Sequence, residues 1–354
     1  MITSVSCPRL TAPIVPSLAG RGIPDASSPI SRPDARGSLL PSAMLRVLTV
    51  ALLLASCAAN KPASSAQASP DGPPPGIGRR DNATTLGPFT GGPLAVSAHL
   101  SAEYSATVNS WILAGPTEIG LIDAQLIMPE AEKVVALLKQ HNKKLAWVWI
   151  THAHPDHHGG LQAIAAAFPG VPLLAHPRTA EQAPAILKKF DGPLQKFFPG
   201  EMATASPPLT PHTDPTLRLD GVEIRIHVFE GGEHELATAL EVPAMKALFI
   251  ADLVYHRVHP WLNELDVDTA LAHVDRLAAM PDINTYYPGH GEPFGKDYLP
   301  TYTGYVKDFM SEVALAKDAD DLILRVWRRH PDWRTMAGLR FSARAHIDAR
   351  APAK

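Results

Sequence analysis

Ten residues, Thr-His-Ala-His-Pro-Asp-His-His-Gly-Gly at 151–160, constrain this chain more than any other feature. They set His152, His154, Asp156, His157 and His158 close together, after an apolar run at 145–150 and ahead of a helical run at 161–168. Imidazole and carboxylate are the donors that suit zinc and related divalent ions. Alternate residues of an extended segment point to one side, so His152 and His154 project together. Asp156 and His157 fall where the loop turns into a helix and can reach a second point. The stretch is half of a metal site, and the other donors must come from elsewhere in the chain.

The composition narrows what that site can be. The only two cysteines, Cys7 and Cys57, lie far from the histidines, which excludes a Cys-rich structural zinc site. Charged residues are 19% of the chain and the net charge is −3, so no nucleic-acid partner is indicated. A hydrophobic content of 45% over 354 residues is enough for one large domain or two small ones.

The first 92 residues carry no such core. Residues 1–43 are rich in Pro, Ser, Gly and Arg and show no sustained period. Met44-Leu-Arg46 is a short basic start, 47–54 is apolar, and Ala55-Ser56-Cys57 follows. Basic start, apolar run and small residues at the cut are the order of a signal peptide. The apolar run is far below the roughly 20 residues a membrane-spanning helix needs. Leu54-Ala55-Ser56-Cys57 resembles the lipobox of bacterial lipoproteins, which implies acylation of Cys57 after removal of a signal at 44–56. It also implies that 1–43 precedes the true start. Residues 58–92, dense in Pro, Ser and Gly, are expected to be a disordered linker. The chain is then expected in the bacterial cell envelope, lipid-anchored on the outer membrane and facing the periplasm.

From residue 94 the texture changes. Strands are predicted over 95–100, 107–113, 118–123, 144–150 and 171–175, with amphipathic helices over 129–141 and 179–190. Residues 191–215 are Pro-rich and are expected to be an irregular loop or lid. Two hairpins follow, 217–229 and 237–252, then a helix over 267–280 and a strand over 285–287. Residues from 299 onward are expected to be mostly helical and polar. This order suggests two sheets with helices outside, in one domain over 93–300 with a helical extension over 301–354.

Asp123, the histidine cluster, His234, Asp252 and His290 follow one another at the ends of these elements. In that order His152-x-His154-x-Asp156-His157 is identified as the signature of the metallo-β-lactamase fold superfamily, with Pro288-Gly-His290-Gly as its last motif. The resemblance covers roughly residues 93–295. It implies an α/β fold, a four-layer αββα sandwich with the metal site at one edge between the sheets. It also implies that His152, His154 and His234 hold one metal and that Asp156, His157 and His290 hold another, with Asp252 bridging. Asp123 is expected to orient a ligand histidine rather than to bind. His158 is expected to point away, and His256 and His259 to be structural or to line the substrate pocket. His234 fits least well: it lies in Gly231-Gly-Glu-His-Glu235, about one residue too close to Asp252, and Glu233 or Glu235 can assist or replace it.

Two metals about 3.5–4 Å apart lower the pKa of a shared water and yield hydroxide near neutral pH. The resemblance therefore implies a binuclear hydrolase, with two zinc ions expected and iron or manganese as alternatives. In it a bridging hydroxide cleaves an ester, lactone, thioester or amide bond of a small molecule, with Asp156 orienting the nucleophile. Asp252 turns the reading toward the glyoxalase-II-like and lactonase-like groups, because the true zinc β-lactamases place Cys or Ser there. The rival readings are an iron-dependent oxidoreductase on the same fold and a non-catalytic metal- or ligand-binding lipoprotein.

Overall fold

The structure, a computed structural model, describes residues 78 and 80–350. The expected early start, the signal segment 44–56, Cys57 and the first part of the linker lie outside the described residues.

Two sheets form the frame. The first has seven strands in sequence order: β1 (Thr84–Phe89), β2 (Ala95–Leu100), β3 (Asn109–Ala114), β4 (Glu118–Ile122), β5 (Lys144–Ile150), β6 (Leu173–Ala175) and β7 (Thr210–Pro211). Its first four strands are antiparallel, and β4 through β7 run parallel. The second sheet has the order β12-β11-β10-β9-β8, made of β8 (Thr216–Leu219), β9 (Val222–Gly231), β10 (His234–Val242), β11 (Ala247–Ala251) and β12 (Thr285–Pro288). The helices are α1 (Met128–Gln140), α2 (Pro155–His158), α3 (Leu161–Ala167), α4 (Pro177–Phe197), α5 (Val267–Ala279), α6 (Leu299–Leu315), α7 (Ala319–Arg329) and α8 (Met336–Arg350).

The period of two in the central strands builds the layers. In β5, Trp147 and Trp149 enter the cluster between the sheets, with Trp111, Phe249 and Tyr287. Val148 and Ile150 face the other way, against Val134 and Leu138 of α1 and Ile164 of α3. In β11, Phe249 points between the sheets, whereas Leu248 and Ile250 pack on Val274, Tyr305, Phe309 and Trp327. Each such aliphatic side chain contributes about 1.5–3 kcal/mol when fully buried. Strands buried on both faces read as unbroken apolar runs, which is the pattern of 145–150 and 247–251. The result is the expected αββα sandwich with a helical C-terminal region.

Three expectations need correction. The stretch expected to be linker up to residue 92 contains β1, which pairs antiparallel with β2. Its side chains are almost all exposed, so main-chain pairing holds most of it, helped by Leu86 against the core and Phe89 edge-on to Tyr287, and composition does not register that; an edge strand also tolerates Pro88. The loop expected from residue 191 begins as helix: α4 runs on to Phe197 through Pro184 and Pro193. An interior proline disfavours a helix by about 3 kcal/mol, but Leu194 and Phe198 pack on Leu126, Ile127 and Met202, and Phe198 meets the Tyr104 ring edge-on at 4.9 Å. Finally, α6 to α8 are helical as expected but are not a polar appendage. They bury Tyr305, Phe309, Trp327 and Leu339 and form the outer layer on the second sheet.

Candidate metal centre

One edge of the sandwich collects the chemistry because of strand direction. Asp123 follows β4, and residues 151–154 leave β5, which is parallel to β4. Asp252 follows β11, and His290 lies just beyond β12, which is parallel to β11. His234 opens β10, with Glu233 in the turn just before it, and β10 is antiparallel to β11 and so begins where β11 ends. Pro155 starts the single turn of α2 and carries Asp156 and His157 into the same place.

Two groups of donor atoms form there, each with all of its atoms within 4.8 Å of one another. The first is His152, His154, Glu233 and Asp252; the second is Asp156, His157, Asp252 and His290. Asp252 belongs to both. In the first, His154 Nδ1 lies 2.8 Å from Glu233 Oε1, and His152 Nε2 lies 3.7 Å from Glu233 Oε2. In the second, His290 Nε2 lies 3.0 Å from Asp252 Oδ2 and 3.3 Å from Asp156 Oδ2, and His157 Nε2 lies 3.3 Å from Asp252 Oδ1.

A divalent metal fits these residues. The buried atoms His152 Nε2, His157 Nε2, Glu233 Oε2 and Asp252 Oδ1 have no hydrogen-bond partner. Leaving such groups unsatisfied in a buried site is unfavourable. Donors on a tetrahedral ion with arms of about 2.0–2.1 Å sit roughly 3.3–3.4 Å apart, close to the separations in the second group. The electrostatics point the same way. Burial disfavours a charged imidazole at His157, yet Asp252, Asp123 and Asp156 hold its pKa well above the ordinary value. At His290 burial is likewise outweighed, by Asp252 and Asp156, and the pKa rises to about 10. The carboxylates demand positive charge, which protons supply when no metal does.

A further layer aims the donors. Asp123 Oδ2 accepts from His157 Nδ1 at 2.8 Å, and its Oδ1 accepts from the Thr151 backbone N–H at 2.9 Å. His290 Nδ1 donates to the Ala106 carbonyl at 2.9 Å, because that oxygen can only accept. In both rings this turns Nε2 to the site, where a metal can take the place of its proton. Gly159 and Gly160 allow the close approach: a Cβ on either would fall within 3.0 Å of a carbonyl oxygen, that of Leu126 or of Ala124.

The structure thus brings together His152, His154, Asp156, His157, Asp252 and His290, with Asp123 behind His157. His234 is buried beside them, its ring 4.6 Å from that of His154, but the first donor group contains Glu233 instead. Glu233 is one residue farther from Asp252, the residue of spacing that His234 lacks. Glu235 turns outward to Arg178 and Gln182. His158 bonds the Ala153 carbonyl, His227 pairs with Glu241 and His256 stacks on Phe294. Tyr255 is an addition that no motif announced. Its hydroxyl donates to Asp252 Oδ2 at 2.7 Å, and burial followed by the Asp252 charge keeps its pKa well above the ordinary range. Above the donors lies a cavity of about 360 Å³, with His154, Asp156, Glu233, Asp252, Tyr255 and His290 in its lining.

A two-sheet sandwich with a buried histidine–carboxylate centre at one edge defines a class of metal-dependent proteins, mostly hydrolases. The chain belongs to the metallo-beta-lactamase superfamily, whose sequence signature matches residues 107–290. Among solved structures it is similar to a metallo-beta-lactamase from Pontibacter korlensis, at 20% identity and a TM-score of 0.51, over 64% of this chain and 99% of that one. It is also similar to a metallo-beta-lactamase family protein from Thermus thermophilus, at 19% identity and a TM-score of 0.48, over 66% of this chain and 86% of that one. The mono-zinc form of the metallo-beta-lactamase FIM-1 from Pseudomonas aeruginosa is 18% identical with a TM-score of 0.46, over 64% of this chain and 95% of that one. No curated protein sequence matches the chain.

Proposed function

We propose that this protein is a binuclear metallo-hydrolase, of the glyoxalase-II-like or lactonase-like kind, that cleaves an ester, lactone, thioester or amide bond of a small molecule. The observation that carries this reading is the membership of Asp252 in both donor groups. His152, His154, Glu233 and Asp252 would hold one ion, and Asp156, His157, Asp252 and His290 the other; two zinc ions suit these nitrogen and oxygen donors. When bound, such ions make water acidic enough to act as a nucleophile near neutral pH and polarise the carbonyl under attack.

The chain's own groups do the rest. Asp156 is the donor whose carboxylate is partly open to solvent. Burial alone would raise its pKa, but without a metal His157 and His290 lower it to about 2; a bound cation would take over their positive charge, so that Asp156 stays ionised, orients the attacking water and passes on its proton. Tyr255 remains a phenol and holds Asp252 in place. The walls of the cavity are mostly apolar, so charge interactions at its floor are stronger than in open water.

A second reading rests on one observation. His152, His154 and Glu233 form a two-histidine, one-carboxylate set, which also suits non-haem iron. The complete second group favours the hydrolase. The test is metal analysis together with a panel of lactones, thioesters, β-lactams and phosphodiesters, using Asp252→Ala as control. Hydrolysis with two zinc ions per chain, lost in the variant, is the expected outcome. One iron per chain with oxygen consumption and no hydrolysis would overturn it.

We also propose that the protein is lipid-anchored at Cys57, outside the described residues, and works at the outer membrane facing the periplasm on a small molecule. The support is the order of the basic start, the apolar run and Leu54-Ala55-Ser56-Cys57. Fatty-acid labelling that survives Cys57→Ser would remove it.

A further inference from the structure

The cavity above the donors is polar at its floor and apolar in its walls. Its walls include Phe190, Leu194 and Phe197 of α4, then Phe198, Trp261 and, from α8, Phe341. Among the described residues no lysine or arginine lines it. From the donors outward the rings follow one another. The His154 and Trp261 ring centroids are 5.8 Å apart, those of Trp261 and Phe341 5.5 Å, and those of Phe341 and Phe197 6.4 Å.

The outer end of this series is wet. Phe197 and Phe341 are 45% and 39% exposed, although each is a large apolar side chain. Single exposed apolar residues need no explanation. Here two phenylalanines from helices remote in sequence meet at the rim of a cavity that already opens onto reactive groups. Apolar surface kept in water beside such a cavity is a binding surface.

Resting on the hydrolase reading, we propose that the substrate is an uncharged carboxylic ester whose apolar acyl group lies along this aromatic track, and that Phe197 and Phe341 set the acyl length accepted. Water adds across the acyl carbon–oxygen bond, the carbon–oxygen bond to the alkoxy group breaks, and the acid and the alcohol leave, with the water's second proton on the alcohol. A charged group on the acyl arm would lose its hydration against rings and methylenes with no cation to meet it, which is strongly unfavourable. Each methylene moved from water onto the track should raise kcat/KM by about fourfold. The anionic end produced by hydrolysis lies at the polar floor and not on the track.

The test uses the metal-loaded full chain with p-nitrophenyl esters of two to ten acyl carbons, and the same esters carrying a terminal carboxylate. The expected result is a rise in kcat/KM with chain length until the track is filled, and at least a hundredfold drop for the carboxylate-tipped esters. Phe341→Ala and Phe197→Ala should each lower the ratio of long-chain to acetyl ester by about tenfold, and Phe341→Leu should restore most of it. A flat length dependence, or equal turnover of the charged esters, overturns the proposal. Calorimetric binding of 2-decanone against 2-butanone separates it from the hydrolase reading. If no ester is hydrolysed but 2-decanone binds, and binds about tenfold more weakly to Phe341→Ala, the track stands and the hydrolase reading falls. If 2-decanone does not bind either, the track falls too.

Discussion

The hydroxyl of Tyr255 donates to Oδ2 of Asp252 at 2.7 Å and also reaches Oε1 of Glu233 at 3.3 Å. One phenol therefore touches the carboxylate common to both donor groups and the carboxylate particular to the first. Its ring stacks on His290 at 4.7 Å and 11°, so packing and hydrogen bonding can be separated. Tyr255→Phe keeps the stack and deletes the donor. Groups that orient metal ligands are worth roughly 10–100-fold in metal affinity. We expect at least a tenfold loss, read by competition with a chromophoric chelator, with the circular dichroism spectrum unchanged. An unchanged affinity would show that the imidazoles orient Asp252 unaided.

Glu233 and His234 make different demands on the site. Burial, reinforced by His154, lowers the His234 pKa to about 4, so its ring is neutral at pH 7. Removing it leaves the charge of the centre unchanged, whereas removing Glu233 takes away a buried acidic group whose Oε2 has no hydrogen-bond partner. Metal titration should therefore show a larger loss of affinity for Glu233→Ala than for His234→Ala, by about tenfold. The reverse ranking would return His234 to the ligand set.

How much of this was legible depended on whether a residue's role follows a local period. The buried strands at 144–150 and 247–251 and the helix starting at Met128 announce themselves by spacing, and the donors sit where those elements end. Strand β1 is held by main-chain pairing and α4 by contacts made beyond its prolines, so neither shows in composition. Glu233 differs from His234 by one place in the chain, and only the turn between β9 and β10 decides which side chain enters the group. Tyr255 and the pair Phe197–Phe341 have no periodic signature. They matter through neighbours from other elements, which no single stretch contains.

His259 supplies a test of pH dependence away from the donors. Its Nδ1 lies 2.7 Å from the Tyr305 hydroxyl and its Nε2 has no partner. Burial, with the nearby His330 charge adding to it, lowers its pKa to about 3. The folded state thus disfavours the protonated ring, while the unfolded chain protonates near the ordinary 6.5. The unfolded state binds more protons between these values, so the stability this residue allows is present above pH 6.5 and is lost as pH falls toward 3. Relative to His259→Leu, the metal-stripped wild type should lose about 1.4 kcal/mol per pH unit within that window. Denaturant unfolding at several pH values reads the difference, and metal stripping removes proton-linked metal loss. A constant difference between the two proteins would mean that the ring is protonated in the fold.

Gly338 decides how closely α8 approaches the centre. A Cβ there would fall within 3.0 Å of the His259 carbonyl oxygen, a backbone atom that cannot swing aside. The same contact region is tied down by Ser342 Oγ, which accepts from the Leu262 N–H at 2.8 Å, and by His346 Nε2, which donates to the Leu262 carbonyl at 2.9 Å. Two effects compete in Gly338→Ala. Alanine favours the helix by about 0.8–1.0 kcal/mol, whereas forcing an extra group into a packed interface disfavours the fold by about 1–3 kcal/mol. Because the obstacle is backbone, the second should win, giving a net loss on the order of 1 kcal/mol in denaturant unfolding. Phe341 lies one turn along the same helix, so the displaced helix should also carry it off the aromatic track. The preference for long-chain over acetyl ester would then fall together with stability. A variant more stable than wild type with an unaltered preference would mean that α8 slides freely over the His259 loop and does not set the width of the cavity.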